Sequence, residues 1–132
     1  MSQLNRAVVV TGASSGIGEA TALHLDALGF SVFAGVRKDE DGKALSMQAS
    51  DRLTPIRLDV TDADSIAAAA TVVEQATSGR LHALVNNAGL SINGPLELVP
   101  VRRIETLMEV NVVGLMAVTQ AFLPMLRAAR GR

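Results

Sequence analysis

Apolar positions along the chain follow two rhythms in alternation. AVVV at 7–10 is an unbroken, mostly β-branched run, the mark of a strand covered on both faces. Glycines at 12, 16 and 18 follow, then helical spacing from about Ile17 to Leu28, closed by Gly29. SVFAGV at 31–36 reads as a second strand, and a more polar helix is predicted around Glu40 to Ala49. TPIRLDV at 54–60 holds a third strand, with Pro55 near its start. Asp62 or Thr61 then caps an alanine-rich helix to about Thr77, with Gly79 beyond it. HALVNNAG at 82–89 is a fourth strand with a polar end. Gly94, Pro95 and Pro100 break residues 91–100 into loop. Val101 to Ala129 is helix again, with Pro124 expected to bend it and Gly131 to close it in the left-handed conformation.

Strand and helix alternating over short links specify right-handed βαβ units and a parallel sheet. The 132 residues make one domain, and with 48% hydrophobic and 19% charged residues the chain should fold. Its formal charge of −1 gives no reason to expect nucleic acid or an anionic membrane as partner. Three Phe and no Trp or Tyr leave little to stack on bases. The absence of Cys excludes disulfides and thiol nucleophiles, and His24 and His82 lack metal-ligand spacing, so no metal site is expected. The N-terminus does not read as a secretory signal, and no unbroken apolar run reaches the ~18 residues of a membrane span. A soluble, cytoplasmic protein is expected.

TGASSGIG at 11–18 is the candidate for chemistry. Gly12 lets the chain turn out of the strand, and Gly16 and Gly18 let backbone amides and a helix N-terminus approach a pyrophosphate. Ser14 and Ser15 add hydroxyl donors. The same three glycines could also make a tight turn that holds no ligand. The second strand ends in GVRK with Val36, not the Asp or Glu that commonly holds the ribose hydroxyls of NAD at a strand end, and Arg37 follows. A guanidinium matches a 2′-phosphate, with Lys38 beside it, so NADP is favoured over NAD. Arg37 could instead be a solvated charge paired with Asp39 or Glu40.

The Thr-Gly-x-x-x-Gly-x-Gly spacing at 11–18, NNAG at 86–89, Asp59-Val60 and Asn111 stand in order over essentially the whole chain. In these the sequence resembles the classical short-chain dehydrogenases/reductases. The resemblance implies a Rossmann-type, doubly wound parallel sheet, here ending after the fourth strand and its helix. It implies that Thr11, Gly12, Ser14, Ser15, Gly16, Ile17 and Gly18 wrap the pyrophosphate and adenosine ribose. Asp59 would accept from the adenine amino group with the Val60 amide alongside, and Asn87, Ala88 and Gly89 would lie along ribose and phosphates. Asp59 could equally form an Asx-turn or helix cap, and Asn86 is read as purely structural. Asn111 would interrupt its helix and hold a water in the proton relay.

The family's catalytic Ser and Tyr-x-x-x-Lys have no counterpart here: the chain has no Tyr, and its lysines are Lys38 and Lys43. Residues 1–132 therefore read as the incomplete, cofactor-binding part of a carbonyl reductase or alcohol dehydrogenase, inactive alone. The complete enzyme would take a small-molecule alcohol or ketone. GFSVFAGVRK and FLPMLRAARGR are similar to members acting on retinoids, steroids or 3-hydroxy acids. The alternative is a non-catalytic NADP-binding module or one half of a split protein. The apolar 101–129 helix and an open fourth-strand edge predict a homo-oligomer.

Overall fold

The computed structural model describes residues 6–132; the first five residues, on which the reading of the N-terminus partly rests, lie outside it. Strands β1 (Ala7–Val10), β2 (Ser31–Val36), β3 (Leu53–Arg57) and β4 (Ala83–Val85) form one parallel sheet in the order β3-β2-β1-β4. The chain winds outward from β1 through β2 to β3, then returns to place β4 on the other side of β1. That reversal opens a crevice beyond the carboxyl ends of β1 and β4.

Side-chain alternation assigns the two faces of the sheet. Val8, Val10, Val32, Ala34 and Leu53 meet Ala22 of helix α1 (Gly16–Ala27) and Leu45 of helix α2 (Asp39–Ser46). Ala7, Val9, Phe33 and Ile56 meet Ile66, Ala69 and Val73 of α3 (Ala63–Thr77), and Val118, Phe122 and Leu126. The last three belong to α5 (Leu115–Ala129), which follows α4 (Val101–Met108) through a π-helical segment, Glu109–Gly114. This three-layer arrangement is a Rossmann-type α/β fold.

Several boundaries differ from expectation. β3 ends at Arg57 because Asp59 folds its own carboxylate back onto the Thr61 amide. β4 stops at Val85 because the Asn87 amide turns back to the Val85 carbonyl and the Thr11 hydroxyl. Asp62, not Thr61, caps α3, accepting from the amides of Asp64 and Ser65. Within 91–100 a 3-10 turn forms at Leu96–Leu98. The final helix loses its regular pattern at Glu109–Gly114, before Pro124, which lies inside α5.

The left-handed stop at the end of α5 is Arg130, with φ of 53°, and not Gly131. Gly131 is needed for space: a Cβ there would stand 2.6 Å from the carbonyl oxygens of both Leu81 and His82. The open edge expected of β4 is also partly taken. Arg132 donates to His82 O and accepts from the Leu84 amide, each at 2.9 Å, in the pattern of a parallel pair.

Val101–Ala129 forms 29 helical residues whose most apolar window has a mean hydropathy of 1.5, enough by length and composition to cross a membrane. Counting unbroken apolar runs overlooks it. Its two halves differ in surroundings. Val118, Phe122, Met125 and Leu126 fill the core, whereas Val113 and Met116 are 61% and 57% exposed.

Asp26, near the end of α1, is the one charged side chain in the core of the described residues. Burial opposes its ionisation. The Ser50 hydroxyl and amide, with the Arg52 charge, outweigh this and hold the carboxyl below its usual range. Its stabilising effect is thus present above about pH 4 and lost as pH falls through the lowered folded value. Asp26→Ala is expected to cost about 2 kcal/mol at neutral pH. Urea unfolding should show the gap to the unsubstituted chain closing on acidification; a gap independent of pH would contradict this.

Candidate functional site

The turn after β1 is fastened to the segment after β4. Thr11 is buried, and its hydroxyl accepts from the amides of Asn87 (3.0 Å) and Ala88 (2.9 Å). Asn87 Nδ2 donates in return to the carbonyls of Thr11 (3.1 Å) and Gly12 (3.0 Å). Gly12 takes φ of +64°, and a Cβ on it would stand 2.8 Å from Ala88 Cα. Gly16 is also left-handed, at φ +60°, but open space surrounds it. Gly18 faces inward: a Cβ would overlap the Gly12 carbonyl oxygen and Asn87 Nδ2. Its small size thus serves the packing of helix against turn.

Helix α1 begins with its polar groups unclaimed. Ser15, extended at the N-cap, makes no capping bond with its side chain. The first-turn amides, at the positive end of the helix dipole, suit an anion. Ile17 beside them is 80% exposed.

Arg37 and Asp59 come together from the ends of β2 and β3. Among the described residues Arg37 has no ion-pair partner, because Asp39 is taken by Arg57 at 3.2 Å. Asp59 Oδ1 accepts from the Thr61 hydroxyl (2.7 Å) and amide (2.9 Å). These bonds, hydroxyl first, hold the Asp59 carboxyl below its usual range; the Arg37 charge adds to them and partial burial opposes. So the Asx-turn exists, but it uses one oxygen only.

On the far wall Asn111, in the π-helical segment, clips the loop after NNAG. Its Oδ1 accepts from the Leu90 amide (2.7 Å) and its Nδ2 donates to the Leu90 carbonyl (2.8 Å). Gly89 leaves room for the clip, since a Cβ there would stand 3.2 Å from Asn111 Oδ1. Asn86 donates to the Thr119 hydroxyl on α5, a tie between elements.

These walls enclose a cleft of about 530 Å³ at the switch point. Of the residues singled out from sequence, Gly12, Ser14, Ser15, Ile17, Arg37, Asp59, Val60, Asn87, Ala88 and Gly89 line it. Thr11, Gly16, Gly18, Lys38 and Asn111 stand outside its lining; Thr11, Gly18 and Asn111 shape it from behind. Sequence reasoning missed Gly35, Leu58, Thr61, Leu90, Thr106, Glu109 and Val110. A glycine inside a strand was a usable signal for Gly35. Thr106, Glu109 and Val110 share one helical face, a spacing that marks a common wall.

The cleft suits a dinucleotide. It offers amide donors and two serine hydroxyls for phosphates at one wall, a free guanidinium at β2, and a carboxylate acceptor beside apolar Leu58, Val60 and Val110.

Fold and cleft define a Rossmann-type protein with its site at the topological switch. The family model described as short chain dehydrogenase matches residues 6–132, and the chain belongs to that family of nicotinamide-dependent oxidoreductases. It is 46% identical to mouse (Mus musculus) estradiol 17-beta-dehydrogenase 2, covering 96% of this chain and 34% of that protein. Human (Homo sapiens) retinol dehydrogenase 16 is 42% identical over 95% of this chain and 40% of its own length. The bovine (Bos taurus) mitochondrial D-beta-hydroxybutyrate dehydrogenase is 41% identical, over 97% and 39%. The chain thus spans well under half the length of these relatives. A short-chain dehydrogenase from Streptomyces avermitilis superposes with a TM-score of 0.85 at 39% identity, over 97% of this chain and 47% of that one. NADPH-bound carbonyl reductase from chicken fatty liver gives 0.82 at 34%, over 93% and 52%.

Proposed function

We propose that residues 1–132 are the incomplete dinucleotide-binding domain of an NADP(H)-preferring oxidoreductase, and that this chain alone binds cofactor without turnover. The observation that carries the cofactor preference is Arg37: it lines the cleft, and among the described residues no carboxylate stands within ion-pair distance of it. The bound nicotinamide would supply or accept a hydride at C4. The chain's own residues bind and orient. The α1 amides with Ser14 and Ser15 take the pyrophosphate, Arg37 with Lys38 nearby takes the 2′-phosphate, and Asp59 takes the adenine amino group. Asn87, Ala88 and Gly89 shape the path toward the nicotinamide, and Ile17 covers it. Asn111 acts by positioning. Both ends of its side-chain amide are engaged by Leu90, which fixes the loop after NNAG against the far wall of the cleft.

The substrate proposed for the complete protein is a hydrophobic alcohol or ketone, or a 3-hydroxy acid, a reading supported by what the relatives are named for. The mitochondrial name of one relative gives a cytoplasmic location no support. Lacking any Tyr, the 132 residues have no phenol to move the substrate proton. An assay with NADPH and a panel of aldehydes and ketones should show no turnover; turnover by a pure sample would refute the inactivity. Light scattering should find dimers or larger species joined through the exposed Val113 and Met116 helix face. A clean monomer at tens of micromolar would contradict this.

A further inference from the structure

The loop after β3 is bonded more closely than a strand-to-helix link requires. Asp62 caps α3, accepting from the amides of Asp64 and Ser65. Ser65, in the first turn of α3, then reaches back past Asp62, and its hydroxyl accepts from the Asp59 amide at 2.9 Å. The Asp62 amide donates to the Asp59 carbonyl at 3.1 Å. Capping therefore fixes the Asp59 backbone without using its carboxylate.

The carboxylate is fixed separately, by Thr61. Hydroxyl and amide of this one residue converge on Oδ1, so χ1 and χ2 of Asp59 are set and Oδ2 is left as the available acceptor. Thr61 is exposed and itself lines the cleft, beside Asp59 and Val60. A half-buried aspartate without this hold would divide its time among rotamers and favour no ligand edge. Fixed, it offers one lone-pair direction at the rim of the apolar pocket formed by Leu58, Val60 and Val110. A planar ring in that pocket would be distinguished by whether its exocyclic group donates or accepts.

We infer that Thr61 is a specificity-setting positioning residue, which aims Asp59 so that the cleft prefers a ring bearing an exocyclic amino group over one bearing a carbonyl there. This rests on the dinucleotide reading and deepens it. The test compares NADPH with its hypoxanthine analogue, deamino-NADPH, by nicotinamide fluorescence on the full chain. The unsubstituted chain should bind NADPH on the order of tenfold more tightly, the scale of a hydrogen bond to a charged acceptor. Thr61→Val, which keeps the amide and loses the hydroxyl, should cut that ratio to about threefold or less, mainly by weakening NADPH. Thr61→Ser should restore it, and both variants should stay folded, with a cooperative urea transition close to the parent's and Thr61→Val slightly the lower. If the parent discriminates and Thr61→Val discriminates equally, the positioning role is wrong while the dinucleotide reading stands. If Thr61→Val weakens both nucleotides alike, Thr61 is merely structural. If the parent binds neither, the dinucleotide reading falls and this inference with it.

Discussion

Replacing Gly18 by alanine is expected to abolish NADPH binding and to destabilise the fold by about 3 kcal/mol. The added methyl would overlap the Gly12 carbonyl oxygen and Asn87 Nδ2, with the Gly12 carbonyl carbon only 2.9 Å away. None of these can retreat alone. Gly12 is wedged against Ala88, and Asn87 holds both the Thr11 and Gly12 carbonyls. Moving Asn87 breaks its bonds to the Thr11 and Gly12 carbonyls, and moving α1 instead displaces the first-turn amides that form the phosphate wall of the cleft. Gly16→Ala supplies the control. Nothing lies within 4 Å of its Cβ position, so only the left-handed φ opposes it, at about 1–2 kcal/mol. Urea unfolding and fluorescence titration of both variants check the contrast. A Gly18→Ala chain as stable as the parent, and still binding NADPH, would refute this account of the turn.

The second large effect is expected at Arg37. Arg37→Ala should weaken NADPH roughly 10- to 30-fold while changing NADH affinity less than about threefold. A 2′-phosphate gains charge-assisted hydrogen bonds from the guanidinium, and NADH has no group to receive them. Stability should hold, because Arg37 is exposed and no ion pair among the described residues depends on it. Lys38→Ala, at a side chain outside the cleft lining, should have the smaller effect. Parallel titrations decide the matter: equal losses for both nucleotides, or none, would remove the basis for an NADP preference.

The strands and their order of appearance were legible because a parallel sheet covered on both faces needs continuous apolar runs, as in AVVV and SVFAGV. Less legible was where polar residues end an element by bonding to themselves. Asp59 and Asn87 belong to sequences that read as strand, and each leaves the ladder through a side-chain or backbone bond across a few residues. Left-handed closure was assigned to Gly131 on residue type, yet Arg130 adopts it, since a glycine was required one position later for clearance. The π-helical segment carries no periodicity of its own, though Asn111 marked its centre. Within the site, the glycine turn and Arg37 stood out by composition. Thr61, Thr106 and Glu109 did not, because only folding brings them to the cleft.

The central claim is that this cleft holds a nicotinamide dinucleotide. Titrating NADPH into the 132-residue chain while recording backbone amide resonances tests it most directly. Saturable shifts confined to residues 12–17, 35–37, 58–61 and 87–90 are the expected result, weaker with NADH. No saturation, or shifts centred instead on α2 and the outer face of β3 around Met47 and Pro55, would contradict it.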